Sequence, residues 1–199
     1  RSGPLPVQLH PTDAGKLTTA QIELPTEELE AGECPAYLAQ LLLDAVGSLP
    51  QSFWRSKLGY AVVEVDPSCR LDTMASLASQ LEEREAQGLV VMQPVGPVAE
   101  QFPMVQGRRA DYKLRFFAPG LGIPEDPVTG SAHALVAPYW MRICRRSDVV
   151  GWQCSPRPGG MVCERVEADR IQITGSAYRL LEGTINLDAP PTAVGWMLP

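Results

Sequence analysis

Two acidic residues stand beside a run of small residues in the middle of the chain, in the sequence EDPVTGSAH at 125–133. The carboxylate of Asp126 is a group that takes or returns protons, and Ser131 offers a hydroxyl donor. If a helix begins near Gly130, its unpaired backbone N–H groups attract a carboxylate or phosphate, and the small side chains at 130 and 132 let that ligand come close. The segment therefore predicts an anion site next to an acid–base group.

The residues around this segment predict a strand, a loop and a helix, in that order. Residues 112–118 alternate apolar and basic side chains, which indicates a half-buried strand. The next ten residues contain three prolines, two glycines and two carboxylates, which is typical of a loop. A helix is predicted over 132–143, and Pro138 should kink or interrupt it because proline removes one helical hydrogen bond.

A purely structural interpretation of the acidic loop stays open. In this interpretation Asp126 caps the helix and Pro127 occupies its first turn, an arrangement that needs no ligand. Glu125 is expected to be a turn or salt-bridge residue, and His133 a packing residue of the helix. Arg157 lies between two prolines, and its guanidinium suits bidentate binding of a carboxylate, although a role in stabilising the turn is equally compatible with the sequence.

Composition sets limits on the class of protein. The 199 residues are 45% hydrophobic and 20% charged, as in a soluble globular chain, and the net charge of −6 argues against binding of nucleic acid. Neither a membrane span nor a secretion signal is recognisable. Five widely spaced cysteines without a Cys-x-x-Cys pair favour reduced thiols in a cytoplasmic protein, and two histidines make a histidine-based metal site improbable.

The remaining pattern predicts an α+β protein, because strands and helices are mixed without strict alternation and tight hairpins follow near the end. Residues 25–33 and 94–110 are expected to be a linker and a loop. Helices are predicted over 34–46, 71–86 and 132–143. Strands are predicted over 5–9, 17–24, 59–65, 88–93, 112–118, 149–154, 160–166, 171–177 and 184–187.

Three stretches in order resemble the signature of the phenazine-biosynthesis (PhzF-like) family. They are RFFAP with EDPVTGSAH between 115 and 133, CSPRPGG at 154–160, and DRIQITGSAYRLLEGTI at 169–185. The similarity continues more loosely upstream, at 1–7 and 22–25. The resemblance implies a diaminopimelate-epimerase-like fold of two pseudo-symmetric halves, each a curled sheet around a central helix, with the site in the cleft between them. Residues 1–30 would then be a remnant of the first half, 31–188 the second half and 189–199 a tail.

The resemblance also implies an activity. Enzymes of this family isomerise a small carboxylate-bearing substrate by moving a proton between carbons, without metal or nucleotide cofactor, and a homodimer is common among them. Matched onto this sequence, Asp126 faces the catalytic glutamate of the first half. Gly130 and Ser131 bind the carboxylate of the substrate, with Thr129 and Arg157 as further substrate-binding candidates.

Two alternatives accompany this interpretation. The segment of the family that carries the catalytic glutamate has no counterpart in the sequence, which begins with Arg1, so we expect an N-terminally truncated piece that is either inactive or a small-molecule or protein-binding module. The other alternative is a racemase or epimerase that uses paired thiols. It is the weaker one, because the helix start has no cysteine and Cys154 lies in an apolar strand.

Overall fold

The computed structural model describes residues 5–11, 17–96, 102–178, 180–181 and 183–184. Within these residues, neither helix is long and apolar enough to cross a membrane. The helices are α1 (Ala36–Val46) and α2 (Gly130–Cys144). The strands are β1 (Val7–Pro11), β2 (Leu17–Pro25), β3 (Glu30–Ala31), β4 (Ser52–Arg55), β5 (Ala61–Glu64), β6 (Leu89–Pro94), β7 (Met104–Val105), β8 (Arg108–Arg109), β9 (Tyr112–Phe117), β10 (Asp148–Gln153), β11 (Gly159–Glu167) and β12 (Arg170–Tyr178).

Ten of these strands form one mixed sheet in the order β1-β2-β12-β11-β10-β9-β6-β5-β4-β3. The pairs β5–β6 and β9–β10 are parallel, and the other neighbours are antiparallel. β2 pairs with β12 along nine residue pairs, so the first strands extend the sheet that the later residues build. Residues 7–10 of β1, the outermost of the described strands, are exposed, with Val7 at 55% and Leu9 at 62%. This mixed architecture confirms the predicted α+β fold class.

The sheet curls around α2. Leu24 in β2 and Trp54 in β4 both pack against the core cluster that surrounds this helix, although β2 and β4 are second and ninth in the strand order. The helix itself is buried on most sides, and the ring of its Trp140 stacks on Tyr112 of β9 at a centroid distance of 5.4 Å. A curled sheet around one central helix is the arrangement that the resemblance implied.

The central strands β5, β6 and β9 have apolar residues on both faces. Val62 and Phe116 belong to the cluster around α2, whereas their neighbours Val63 and Phe117 belong to a second cluster with Leu38 of α1. A strand covered on both sides has no solvated face, which explains the nearly continuous apolar runs in these strands.

The proline in α2 has a structural compensation. The helix runs from Gly130 to Cys144 through Pro138, which has no N–H to donate to the carbonyl of Ala134. The hydroxyl of Thr26, directly after β2, donates to that carbonyl oxygen at 2.7 Å. A buried carbonyl left without a donor would destabilise the fold, so this contact lets the helix continue and ties it to the end of β2.

The predicted helix over 71–86 is wrong. Leu71, Met74 and Leu77 are buried at a spacing that imitates a helix, but the segment contains only two short 3₁₀ turns, at Ala78–Gln80 and Glu85–Gln87. The guanidinium of Arg115 donates to the carbonyl oxygens of Leu71 and Met74. These acceptors are therefore used by a distant side chain and not by a helical ladder.

Smaller differences concern short elements. The predicted loop over 94–110 contains the β7–β8 hairpin, which turns at Gln106 and Gly107 with φ of 51° and 74°. The predicted linker over 25–33 contains the edge strand β3, and the sequence pattern missed β4. Apart from Thr184, the strand predicted over 184–187 lies outside the described residues, and so does the predicted tail over 189–199. The proposed domain boundary at residue 30 stays a prediction.

The compensation of Pro138 is testable by a double-mutant cycle. Thr26→Val should lower the free energy of unfolding by about 1 kcal/mol, because the Ala134 carbonyl loses its partner. In a Pro138→Ala background, Thr26→Val should lower the free energy of unfolding by only a few tenths of a kcal/mol. The backbone N–H of the new alanine then donates to the Ala134 carbonyl in place of Thr26. Urea unfolding measures both values. Thr19→Val in β2 serves as the matched control, and an equal cost of Thr26→Val in both backgrounds would contradict the explanation.

Candidate functional site

The start of α2 carries backbone donors that have no partner in the described part of the chain. Thr129 is the N-cap residue in extended conformation, and its carbonyl accepts the first helical hydrogen bond, from the N–H of His133 at 3.1 Å. No described group accepts from the N–H groups of residues 130–132. Such donors, together with the helix dipole, favour an anion at this end of the helix. The helix predicted over 132–143 is present and begins two residues earlier, at Gly130.

Asp126 lies in the loop just before the helix and is half-buried. The hydroxyl of Thr129 donates to its Oδ2 at 2.6 Å, and the backbone N–H of Asp126 donates to the carbonyl of Phe116 at 3.1 Å. The carboxylate is therefore held by the N-cap residue and does not itself cap the helix. Pro127 lies before the helix and not in its first turn, so the structural interpretation of Asp126 as the cap is wrong in its details.

A buried glutamine that the sequence interpretation missed fixes this loop. Gln153 ends β10 and is 0% exposed. Its Oε1 accepts from the N–H of Thr129 at 2.7 Å, while its Nε2 donates to the carbonyl oxygen of Asp126 at 2.5 Å and lies 3.2 Å from the Thr129 hydroxyl oxygen. One amide thus pairs with the groups on both sides of the turn. In the sequence, this role was indicated by a polar residue at the end of the mostly apolar strand β10.

Gly130 and Ser131 open the helix, as predicted, but the absence of a side chain at 130 has a packing reason. A Cβ there would lie 2.9 Å from Cδ1 of Ile173 and 3.3 Å from Cδ1 of Leu24. The space is filled by core side chains from β12 and β2, and not left for a ligand. Only the backbone N–H of Gly130 and the half-buried Ser131 remain to meet a ligand.

Glu125 forms a buried ion pair. The Nε and Nη2 of Arg115 donate to its two carboxylate oxygens at 2.6 Å each, and the side chains are 4% and 10% exposed. A two-point contact between guanidinium and carboxylate is among the strongest charge-assisted arrangements. This geometry confirms the salt-bridge interpretation of Glu125 and leaves Asp126 as the carboxylate of the loop that has no ion-pair partner among the described residues.

Arg157 lies in the turn between β10 and β11, close to the candidate site. Its backbone N–H donates to the hydroxyl of Ser155 at 3.1 Å, and its side chain is exposed. The same turn packs against the acidic loop, because a Cβ at Gly159 would lie 2.7 Å from Cγ2 of Val128. No described residue forms a salt bridge with its guanidinium. Both expected roles, in the turn and at a substrate carboxylate, remain compatible with this position.

His133 belongs to the core, as expected. It is 0% exposed, and its Nδ1 lies 2.8 Å from the hydroxyl oxygen of Tyr112. Burial lowers the pKa of His133 to about 3, because the charged imidazolium loses its hydration. Gly151 makes room for this pair, since a Cβ there would lie 2.3 Å from Nδ1 of His133 and 2.5 Å from the Tyr112 hydroxyl oxygen. The imidazole is neutral at physiological pH and lies away from solvent.

The cysteines give little support to a thiol mechanism. Burial raises the pKa of Cys154 to about 11 and that of Cys163 to about 12. A thiol with so high a pKa is almost entirely protonated near neutral pH and is a poor base. Among the described residues, no group of three histidine, cysteine or acidic side chains is arranged to hold a metal ion.

The profile of the phenazine biosynthesis-like (PhzC-PhzF) family matches residues 1–183. The chain belongs to this family. The described residues that carried the resemblance lie at the end of β9, in the loop before α2 and at its start, in the β10–β11 turn, and along β12 as far as Tyr178.

Relatives of the chain include proteins named as isomerases and as phenazine biosynthesis-like domain-containing proteins. The chain is 30% identical over 146 residues to an uncharacterized isomerase of Halalkalibacterium halodurans, which covers 73% of this chain and 51% of that protein. It is 43% identical over 82 residues to an uncharacterized isomerase of Pseudomonas aeruginosa, and this match covers 41% of this chain and 31% of that protein. A human phenazine biosynthesis-like domain-containing protein is 40% identical over 83 residues, and this match covers 42% of this chain and 29% of that protein. The chain thus spans at most about half of these relatives.

Solved structures of the family share the fold. A putative phenazine biosynthesis PhzC/PhzF protein from Clostridium difficile superposes with a TM-score of 0.65 at 24% identity, over 90% of this chain and 64% of that one. A PhzF family protein from Enterococcus faecalis gives a TM-score of 0.55 at 22% identity, over 86% and 62%. These likenesses confirm the PhzF fold that the sequence resemblance implied.

Gln153 should be the residue on which the loop geometry depends. Gln153→Ala leaves the Thr129 N–H and the Asp126 carbonyl without partners, so we expect a loss of about 2–4 kcal/mol in the free energy of unfolding and faster amide exchange in residues 126–133. Gln93→Ala is the matched control, because Gln93 is also buried but makes one contact of 3.4 Å, to the Pro67 carbonyl. Hydrogen exchange at 126–133 that is equally slow in both variants would contradict the role of Gln153.

Burial of neutral His133 should make stability depend on pH. The imidazole binds a proton near pH 6.5 in the unfolded chain but only near pH 3 in the folded one, so acidification favours unfolding. Between pH 7 and pH 5 the free energy of unfolding should fall by about 2 kcal/mol from this group. Urea unfolding at several pH values should show that His133→Gln removes this fall. His10→Gln, at an exposed position, should leave it intact.

Proposed function

We propose that this chain forms one wall of the active-site cleft of a PhzF-like isomerase that shifts a proton between carbons of a small carboxylate-bearing substrate. Membership of the family and the isomerase names of its relatives support the reaction class. The observation that carries the proposal is the loop before α2, where a half-buried carboxylate and a free helix N-terminus stand together on a frame fixed by Gln153.

The start of α2 has the chemistry to hold the carboxylate of such a substrate. The N–H groups of Gly130 and Ser131 have no acceptor among the described residues, and the Ser131 hydroxyl is partly accessible next to them. Developing charge on the substrate is stabilised most by donors that are already oriented, because they need no reorganisation during the reaction. The paired amide of Gln153 orients this turn before a substrate arrives.

Asp126 supplies the acid–base group of this wall. A proton shift needs one group that removes a C–H proton and one that returns a proton at another carbon. Asp126 takes the role of the proton-relaying or orienting partner, with its Oδ2 anchored by Thr129 and the carboxylate at the partly open side of the loop. The principal proton carrier is then a glutamate on the opposite wall, outside this sequence. Neither role requires a metal ion or a nucleotide.

A binding function without chemistry is the second candidate. It is favoured by the extent of the match, since the chain spans 31–51% of the length of its bacterial relatives named above. Catalysis needs groups from both walls positioned together, so a single wall would bind a carboxylate without turning it over. The two candidates differ in whether C–H protons exchange with solvent.

The test uses the polypeptide isolated from its natural source, with its intact mass determined first. Small carboxylic acids with an activated C–H next to a carbonyl or double bond are incubated in D₂O, and loss of the C–H signal is followed by NMR. Asp126→Asn should lower the exchange rate by about 10²–10⁴-fold, the usual contribution of an acid–base group. Ser131→Ala should mainly weaken binding, by about tenfold, because one hydrogen bond to the carboxylate is lost.

Asp44→Asn provides the matched control, since Asp44 is an exposed carboxylate on α1. It should leave the exchange rate unchanged. Exchange that survives Asp126→Asn at the full rate would exclude Asp126 from the reaction. Saturable binding of a carboxylate without any exchange, lost in Ser131→Ala, would favour the binding function.

A further inference from the structure

A cavity of about 520 Å³ is lined by residues of α2 between Leu135 and Arg142, beyond the helix start that belongs to the candidate active site. It sits at the seam of the curled sheet, where the segment after β2 and the strand β4 approach the same face of the helix. Tyr139 lies nine residues beyond Gly130, about 14 Å along the helix axis at 1.5 Å per residue. The lining includes Thr26, Leu29, Trp54, Leu135, Tyr139 and Arg142.

The cavity has an aromatic wall that is fixed in place. The rings of Trp54 and Tyr139 lie with centroids 5.0 Å apart at an angle of 60°. The Tyr139 hydroxyl donates to Oε2 of Glu64 at 2.7 Å, and its ring packs edge-on against Trp140 at 5.1 Å. These contacts hold the two rings in place before a ligand binds. The rings therefore form a preformed surface for a flat apolar group, and few side chains have to be ordered on binding.

Charged groups of both signs line the same cavity. The Arg142 guanidinium lies 5.4 Å from the centroid of the Tyr139 ring, and Arg165 donates to the carbonyl of Ala168 at 2.9 Å. Neither arginine forms an ion pair with a described carboxylate. The carboxylates of Glu28 and Asp169, which also line the cavity, likewise have no ion-pair partner among the described residues. A third lining carboxylate, that of Glu27, accepts from the backbone N–H of Leu58 at 3.0 Å. The cavity is thus lined by two guanidinium groups and three carboxylates.

We propose that this cavity is a binding site for a free aromatic α-amino acid. The aromatic wall receives the ring, the guanidinium groups face the carboxylate, and the carboxylates of Glu28 and Asp169 face the ammonium group. A ligand with a single charge would place that charge near groups of its own sign. A zwitterion pairs its carboxylate with the guanidinium groups and its ammonium with the carboxylates. The site is separate from the proposed isomerase site and does not depend on it.

The test is a titration with L-phenylalanine, followed through the indole N–H resonance of Trp54 in ¹H–¹⁵N NMR spectra. We expect a saturable shift of this resonance. The probes 3-phenylpropionate and phenethylamine, which each lack one charge, should bind at least tenfold more weakly. Arg142→Gln should weaken binding of L-phenylalanine by about tenfold, the effect of one charge-assisted contact of about 1.4 kcal/mol.

Two variants locate the effect. Arg145→Gln changes an exposed arginine at the end of the same helix outside the cavity, and it should leave the affinity unchanged. Asp126→Asn should also leave it unchanged, because Asp126 belongs to the other end of α2. The proposal is overturned by the absence of a saturable shift, by equal affinity for 3-phenylpropionate, by an unaffected Arg142→Gln variant, or by a loss of binding in Asp126→Asn.

Discussion

The buried ion pair between Arg115 and Glu125 is the constraint on which the candidate site depends. The guanidinium of Arg115, a residue of β9, donates to Glu125 and to the carbonyl oxygens of residues 71 and 74. It thus connects the sheet, the acidic loop and the irregular segment over 71–86. Burying two charges carries a large desolvation cost, which only complete pairing offsets. Loss of the acidic loop would leave the Arg115 charge buried without its carboxylate, and loss of the irregular segment would leave Nη1 of Arg115 without its acceptors. These three parts of the chain therefore stabilise one another.

The same logic extends to the start of α2. The loop before Gly130 has no regular structure of its own, and its polar backbone groups need partners because they lie against the sheet. Gln153 provides these partners from the end of β10, and Thr129 connects the result to the carboxylate of Asp126. The carboxylate of Asp126 is thus positioned by groups from two neighbouring strands, β9 and β10, which are parallel and end on the same side.

Much of this fold was predictable, because the central strands and α2 are long or strongly apolar and local patterns dominate there. The segment 71–86 was not, since its apparent helical period comes from packing and its carbonyls pair with Arg115, which is far away in the sequence. Asp126, Gly130 and Ser131 were recognisable from residue types beside an expected helix start, and the family resemblance supplied the roles predicted for them. Gln153 was missed because the importance of an amide depends on which loop lies over it, and that is a property of tertiary structure.

The exposed edge strand β1 has a consequence for how the protein behaves at high concentration. Its outer side is the edge of a ten-stranded sheet, and Val7 and Leu9 are mostly accessible to solvent. An edge strand with exposed apolar side chains is a template on which strands of other molecules can add. Self-association through β1 would grow with protein concentration and be relieved by a charge or proline on this strand. We therefore expect the concentration at which the isolated chain stays monomeric to be set by this edge of its sheet.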